Sequence, residues 1–384
     1  MDACRLFLST ASMDNVTHTL VGAALAETGL KRWTPLATTT LLLGANFPDI
    51  DIIVGLFDTL TYLEHHRGIT HAILAIPLLS VLLAGLVYVG SRWWQKRRSD
   101  HVRAKFWPLF WLSLLSMSTH PLLDFTNSYG WRPFLPWNHT WFYGDIDFVV
   151  DPWLWAGLGG TLLWVTATTR SRMIGWGVLF AALSLPVLFF EGTPLSLKLA
   201  WLTVIMLFFA FRTMSNLNPI SAQRLMRGVV VLLLIYFGVL IWFQQTALRR
   251  IQAVAPTVIE AGEQFVKADA LPLPATPLRW RTVISTNKAF YFGDLSLLSS
   301  SLPSLRRYER TSGEAAAITA ALREPELQAF MRFARFPTVT ARRNLNHTTA
   351  VEVRDVRFSD LNTRAISTFQ TSILLDAQLR RIVE

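Results

Sequence analysis

The sequence predicts a mainly α protein, with a polytopic helical membrane domain of about eight hydrophobic segments followed by a small α+β soluble domain. Three observations carry this. Hydrophobic residues make up 52% of the 384 positions and charged residues only 16%, against about 25% charged in soluble domains. Mean hydropathy is +0.34. Apolar runs then recur up to Phe243 and stop, and residues 245–384 mix polar and apolar positions with no spanning run.

Taken in order, the apolar segments are 16–30, 35–57, 72–90, 106–123, 148–168, 173–190, 195–211 and 228–243. The first is short and carries His18 and Glu27; the second is interrupted by "GANFPDID". Both read as short, broken or re-entrant, since irregular backbone at membrane depth needs protein or a water-filled cavity around it. Residues 1–12 lack the apolar core of a signal peptide. They are expected to be a disordered extension, or the product of a start upstream of Met13.

Basic connections orient the set. "SRWWQKRRSDHVRAK" (91–105) is the strongest cluster, joined by Lys31-Arg32, 168–173 and Arg212 with 223–227. Alternating the spans places all of them on the cytoplasmic side. Residues 44–71, 120–150 and the domain after Gln244 then fall outside the cytoplasm. The net charge of +10 therefore points to cytoplasmic loops and not to nucleic acid. The single cysteine, Cys4, excludes an internal disulfide and a cysteine-rich metal site.

In the C-terminal part, "ALRRIQAVAPTVIEAGEQFVKA" and "EAAAITAALREPELQAFMRFARF" read as helices, each with a proline interruption. "LPLPATPLRW" reads as a linker. "RWRTVISTNKAFYFGDLSLL", "TTAVEVRDVRFSD" and "STFQTSILLDAQL" read as strands, with a hairpin turn at "TNK".

Ionisable residues at membrane segments are costly and are functional candidates by default. Only eight histidines occur, and three lie in "HHRGITH" (65–71). By the expected topology, His18, Asp49, Asp51, His66, Arg67, His71, His120, Asp124 and Asp151 all come to the same face from five segment ends. His120 and Asp124 are four apart, which places them one turn apart on a helix if Pro121 does not disturb the register. Asp49 and Asp51 lie on one side of "FPDID" if that chain is extended. Gly68 between His66 and His71 suits a loop entering a helix.

Imidazole and carboxylate together are the donor set of zinc, manganese or iron, and such an ion activates a bound water at neutral pH. His18, His66, His71, His120, Asp124 and Asp151 are the candidate ligands. Asp49 and Asp51 are candidates to bridge a second ion or act as general base, and Arg67 to clamp an anionic group. Taken singly, each has a plainer reading: a hydrogen-bonded interfacial histidine, a helix-capping "PDID", an aspartate paired with Arg67. His65 is an extra histidine in the motif.

"MDNVTHTLVGAALAETGL", "GANFPDIDII", "HHRGITHA", "STHPLLDFTNSYG" and "DIDFVVDPW", in this order, resemble the YdjM-like family of bacterial inner-membrane proteins, described as predicted metal-dependent hydrolases. The resemblance is strong over roughly residues 13–160. It implies a multi-pass inner-membrane protein, with 13–244 as the membrane domain, and a metal-dependent hydrolase. The alternation of spans puts 245–384 outside the cytoplasm, the donor set points to a divalent metal, zinc first, and a site at the outer leaflet beside Arg67 suits a phosphoester or lipid-linked substrate of the bilayer. The other expectation is a non-enzymatic metal-binding transporter or membrane scaffold.

Overall fold

A computed structural model describes the chain except residues 1, 57–58, 99–102, 190–192, 215–218, 345, 359–368 and 383–384. Its N-terminal part is helical: α1 (Asp2–Glu27), α2 (Ala37–Asn46), α3 (Thr59–His65), α4 (Ala75–Arg98), α5 (Phe106–Thr126), α6 (Pro152–Thr166), α7 (Arg170–Phe189), α8 (Leu195–Met214) and α9 (Pro219–Val258). Two 3-10 segments, Phe47–Leu56 and Ile69–His71, carry the "FPDID" and "HHRGITH" motifs.

Among the described residues, four helices are long and apolar enough to cross a membrane: Ala75–Trp94 of α4, α7, α8 and the Ile220–Val258 part of α9. That is fewer than the eight segments expected. α2 has ten residues and α6 fifteen, short of the roughly 20 a span needs. α5 has 21 residues but spends four of them on Ser113, Ser116, His120 and Asp124, which are buried against protein. α1, α2 and α5 pack together through Ala26, Ala37, Leu41 and Leu112. α6 is the most deeply packed, with Trp155 and Leu163 fully buried among residues of α1, α7, α8 and α9.

α9 joins the two halves of the molecule. At 40 residues it is about 60 Å long, twice the hydrocarbon thickness of a bilayer. The boundary expected at residue 245 therefore falls inside one helix. Past Arg227 it is apolar up to Phe243. Its second half buries a stripe at Ala247, Ile251 and Ala255 against the first sheet of the C-terminal domain.

That domain contains β1 (Phe265–Pro272), β2 (Arg279–Thr286), β3 (Ala289–Ser296) and β4 (Arg306–Glu309) as an antiparallel sheet in sequence order. β5 (Thr311–Ser312), α10 (Ala315–Ala321), α11 (Pro325–Phe333), β6 (Pro337–Arg343), β7 (Thr349–Asp355), β8 (Gln370–Leu375) and β9 (Arg381–Ile382) follow, with a second sheet ordered β5 to β9. The expected hairpin at "TNK" is the β2–β3 turn. "QFVKA", expected as helix, is β1, because Phe265–Pro272 pairs along the edge of β2.

The molecule has two ends. The basic connections meet at one: Lys105 N–H donates to Thr34 Oγ1 (2.9 Å), Arg212 to the Ala167 carbonyl (3.0 Å), and Gln223 and Arg227 to the Thr28 carbonyl (2.8 and 2.9 Å). α1, α5, α6 and α9 run from there to the other end, where the His/Asp motifs and the C-terminal domain lie together. The seam between them is ionic and aromatic. Arg335 Nη1 grips both carboxylate oxygens of Asp145 (2.9 and 2.8 Å), and its Nη2 meets Asp269 (2.6 Å). Tyr62 and Tyr129 enter the same apolar cluster as Phe330, Phe333 and Phe369. Arg335→Leu leaves Asp145 buried without its partner and is expected to cost about 3–5 kcal/mol. Denaturant unfolding in detergent, followed by proteolysis at the seam, reads that loss; an unchanged midpoint contradicts it.

Candidate metal centre

The site is built from His18 inside α1, the ends of α2 and α5 and the two 3-10 segments. Gly68 explains how His66, Arg67 and His71 all turn inward. A Cβ there would lie 2.2 Å from the His65 carbonyl oxygen, so only glycine permits the reversal. Arg67 just before it adopts φ 51°. Gly44 lets α2 lie close against α5, since a Cβ would meet Ser116 Oγ at 2.2 Å. That approach brings His120 Nδ1 to the Ala45 carbonyl at 2.7 Å. Pro121 sits inside α5, and not at a helix start, yet His120 and Asp124 still face the same way.

Four donor atoms converge. His71 Nε2 and His120 Nε2 are 3.1 Å apart. Asp49 Oδ1 lies 3.3 Å from the first and 3.2 Å from the second. Asp124 Oδ2 lies 3.4 and 3.6 Å from the same two atoms. A tetrahedral ion with ligands at about 2.0 Å has donor–donor edges of about 3.3 Å. Each of the five edges has the length that donors around one such ion need, and Asp49, His71 and His120 form a compact three-donor group with Asp124 beside it.

The hydrogen bonds behind these atoms set them up for it. A carbonyl only accepts, so His120 Nδ1 donates to Ala45 and Nε2 is left to present its lone pair. His71 Nδ1 faces Asp51 Oδ2 (3.3 Å), and Thr70 Oγ1 donates to that same oxygen (2.9 Å). Two imidazole lone pairs at 3.1 Å repel unless a proton or a cation lies between them. Asp124 Oδ2 is buried and has no hydrogen-bond partner, an arrangement costly for a carboxylate unless an ion is held there. The other oxygen, Oδ1, is held by Arg67 Nη2 (3.0 Å) and approached by His18 Nε2 (3.6 Å).

Electrostatics agrees. Burial opposes ionisation of Asp49, but His120 and His71 outweigh it and hold the carboxyl well below its ordinary range. Asp51 is lowered in the same way, with His66 and then His71 opposing burial. Burial alone would depress His71; hydrogen bonding to Asp49 and Asp51 prevails and pushes it up to about 10. Without metal His71 is thus protonated at neutral pH. Its contribution to the metal-free fold is complete below about pH 6.5, its unfolded value, and is lost as pH rises through about 10. A divalent ion must displace that proton. Metal affinity is therefore expected to rise between pH 6 and 9 with proton release, read by calorimetry in buffers of different ionisation enthalpy. Affinity independent of pH contradicts this.

The remaining candidates fall into other roles. His18, His66 and Asp51 form groups with metal-compatible spacing (His18–His120–Asp124 and Asp49–Asp51–His66), beside the Asp49–His71–His120 group. His18 stacks on His120 with ring centroids 3.7 Å apart, and His66 Nδ1 meets Asp51 Oδ1 at 3.1 Å. Arg67 is buried, bonded to Asn127 and the Gly130 carbonyl and stacked over Tyr129, so it holds Asp124 in place. Asp151 stands apart. It caps α6 through the Trp153 N–H (2.7 Å) and accepts from Tyr236 (2.7 Å), and it belongs to none of the three groups. His65 is exposed and bonded to the Thr61 carbonyl. Thr70, Asn127 and Tyr129 were missed by sequence reasoning; Thr70 and Asn127 stand inside the motifs, but nothing in their type separates them from their neighbours.

Asp51→Asn keeps the shape but weakens the acceptor that orients His71. It is expected to lower metal affinity about 10–100-fold, read by competition with a chromophoric chelator. Unchanged affinity contradicts the role of Asp51 behind His71.

Residues 13–195 match the model of a family described as YdjM inner membrane protein. The Uncharacterized protein YfhP of Bacillus subtilis (strain 168) is 26% identical over 163 residues, 40% of this chain and 46% of that protein. The chain thus covers less than half the length of the curated relative it matches. No solved structure matches the chain.

Proposed function

We propose, for a chain whose residues 13–195 match the YdjM inner membrane protein family, that the buried His/Asp cluster is a divalent metal centre of a membrane-bound hydrolase. The observation that carries this is the convergence of His71 Nε2, His120 Nε2, Asp49 Oδ1 and Asp124 Oδ2 with edges of 3.1–3.6 Å. The donors are two nitrogens and two oxygens, which suits zinc, with manganese or iron also compatible. When bound, such an ion lowers the pKa of a water to about 7 and polarises a phosphoryl or carbonyl oxygen.

The residues of the chain supply the rest. His120 is fixed by the Ala45 carbonyl, His71 by Asp51 and Thr70, and Asp124 by Arg67. His66, paired with Asp51, can take or return a proton at the edge of the cluster. The basic connections at the opposite end favour placing the site and the C-terminal domain outside the cytoplasm. There the substrate is a phosphoester or a lipid-linked group in the outer leaflet.

One observation favours a second reading. His18, His71 and His120 are fully buried, Asp124 is 1% exposed, and four protein donors fill a tetrahedral zinc. That is the pattern of an ion that holds helices together, as in a scaffold or a transporter's resting state. Vesicles containing radiolabelled phospholipids separate the two. Headgroup release by wild type and not by His71→Ala supports hydrolysis. Stoichiometric metal with no release supports the scaffold.

A further inference from the structure

We propose that the loop joining β3 to β4 is a membrane-inserted wedge, seated in the headgroup and upper acyl region of the bilayer that α9 crosses. The inference stands whether or not the metal centre is catalytic.

The loop, "LLSSSLPSL" at 297–305, carries no charge, and neither do its flanking residues between Asp294 and Arg306. It is an uncharged stretch in a domain otherwise rich in charged residues. Leu298 is 81% exposed and Leu302 62%, although a folded domain normally turns such side chains inward.

Its position on α9 says what covers them. Leu297 packs in the cluster of Phe243, Ala247 and Leu248, so the base of the loop lies at the upper end of the apolar half of α9. Trp242 beside it is 65% exposed, as suits an aromatic at the membrane boundary. Below that level α9 turns exposed Leu232, Leu234 and Ile235 outward, continuous with the span. The loop is held in this pose: Arg250 Nη1 donates to the carbonyls of Ser299 (3.0 Å) and Ser296 (3.5 Å). Arg279, exposed on β2, pairs across the strand with Ser296. Asp294 at the base of the loop is paired with Arg281 (3.1 Å) and Arg279 (3.8 Å), so the apolar tip carries the insertion, with leucines among acyl chains and the arginines Arg250, Arg279 and Arg306 at headgroup level. The wedge gives the C-terminal domain a second attachment to the membrane, so that its pose over the His/Asp site does not depend on α9 alone.

The test uses the full chain in vesicles of phosphatidylcholine and phosphatidylglycerol. Cys4→Ser gives a cysteine-free background. Leu298→Cys and Leu302→Cys then carry a nitroxide, with Leu232→Cys as the lipid reference and Gln378→Cys as the water reference. Electron paramagnetic resonance compares collisions with oxygen, which partitions into lipid, and with a water-soluble nickel complex. The expected result is a severalfold preference for oxygen at 298 and 302, matching 232 and opposite to 378. Labels at 298 and 302 that behave like 378 overturn the proposal, because the loop is then in water. Labels immobilised and shielded from both collision partners also overturn it, because a protein surface then covers the loop.

Discussion

Substituting alanine for His71 or His120 is expected to empty the metal centre. Each imidazole supplies one of four donor atoms, and each also holds the others in register. His71 lies 3.3 Å from Asp49 Oδ1 and 3.4 Å from Asp124 Oδ2, and His120 lies 3.2 and 3.6 Å from the same oxygens. Losing either leaves three donors, two of them carboxylates that now repel across the vacancy. The fall in affinity should exceed the roughly 100-fold that an outer partner such as Asp51 can contribute. Elemental analysis after dialysis against a weak chelator is expected to find metal with the wild type and none with either variant. His65→Ala, which removes an exposed histidine from the same motif, is the matched control and should keep the metal. Metal retained by both site variants excludes this cage.

The second large effect concerns Arg67. The guanidinium neutralises Asp124 at 3.0 Å and ties it to Asn127 and Gly130. Arg67→Met strands a buried carboxylate in the metal-free protein, at a cost of about 3–5 kcal/mol. A bound ion brings its own positive charge to Asp124 and should recover a large part of that loss. Thermal unfolding is therefore expected to show a large deficit for the variant in chelator and a much smaller one in excess zinc. An equal deficit in both conditions means that Arg67 works only through the loop carbonyls, and not through Asp124.

The convergence of the His/Asp motifs is more legible in the sequence than the number of spans. Histidines and aspartates are rare in apolar surroundings, so their appearance at successive segment ends is a signal that survives errors in counting helices. His71, His120, Asp49 and Asp124 are brought together as expected, and so are His18, His66 and Asp51. Roles were harder to read. Asp51 and Asp49 are two residues apart and look equivalent in "FPDID", but the 3-10 backbone sends one behind the His71 ring and the other in front of it. Asp151 resembles its neighbours in type, yet its oxygens are taken by the start of α6 and by Tyr236. The Ala45 carbonyl, which fixes His120, leaves no trace in any side chain.

The spans were overcounted for a related reason. α6 is apolar because protein packs around it, and α5 buries one polar-lined face while Trp107, Trp111, Leu115 and Leu122 stay exposed on another; apolar composition does not distinguish lipid from a protein interior. The apolar run ends at Phe243, so composition splits α9 into a span and a separate helix beginning at Ala247. The spacing of Ala247, Ile251 and Ala255 shows the helix continuing beyond that run.

The most direct test of the central claim is X-ray absorption spectroscopy on the purified, metal-loaded protein, with the metal counted in the same sample. One tetrahedral ion in the cage predicts a first shell of four nitrogen or oxygen atoms at about 2.0–2.1 Å for zinc, with the outer-shell scattering of two imidazoles. A correctly folded wild type that takes up no metal, or an ion whose shell contains no imidazole, contradicts it.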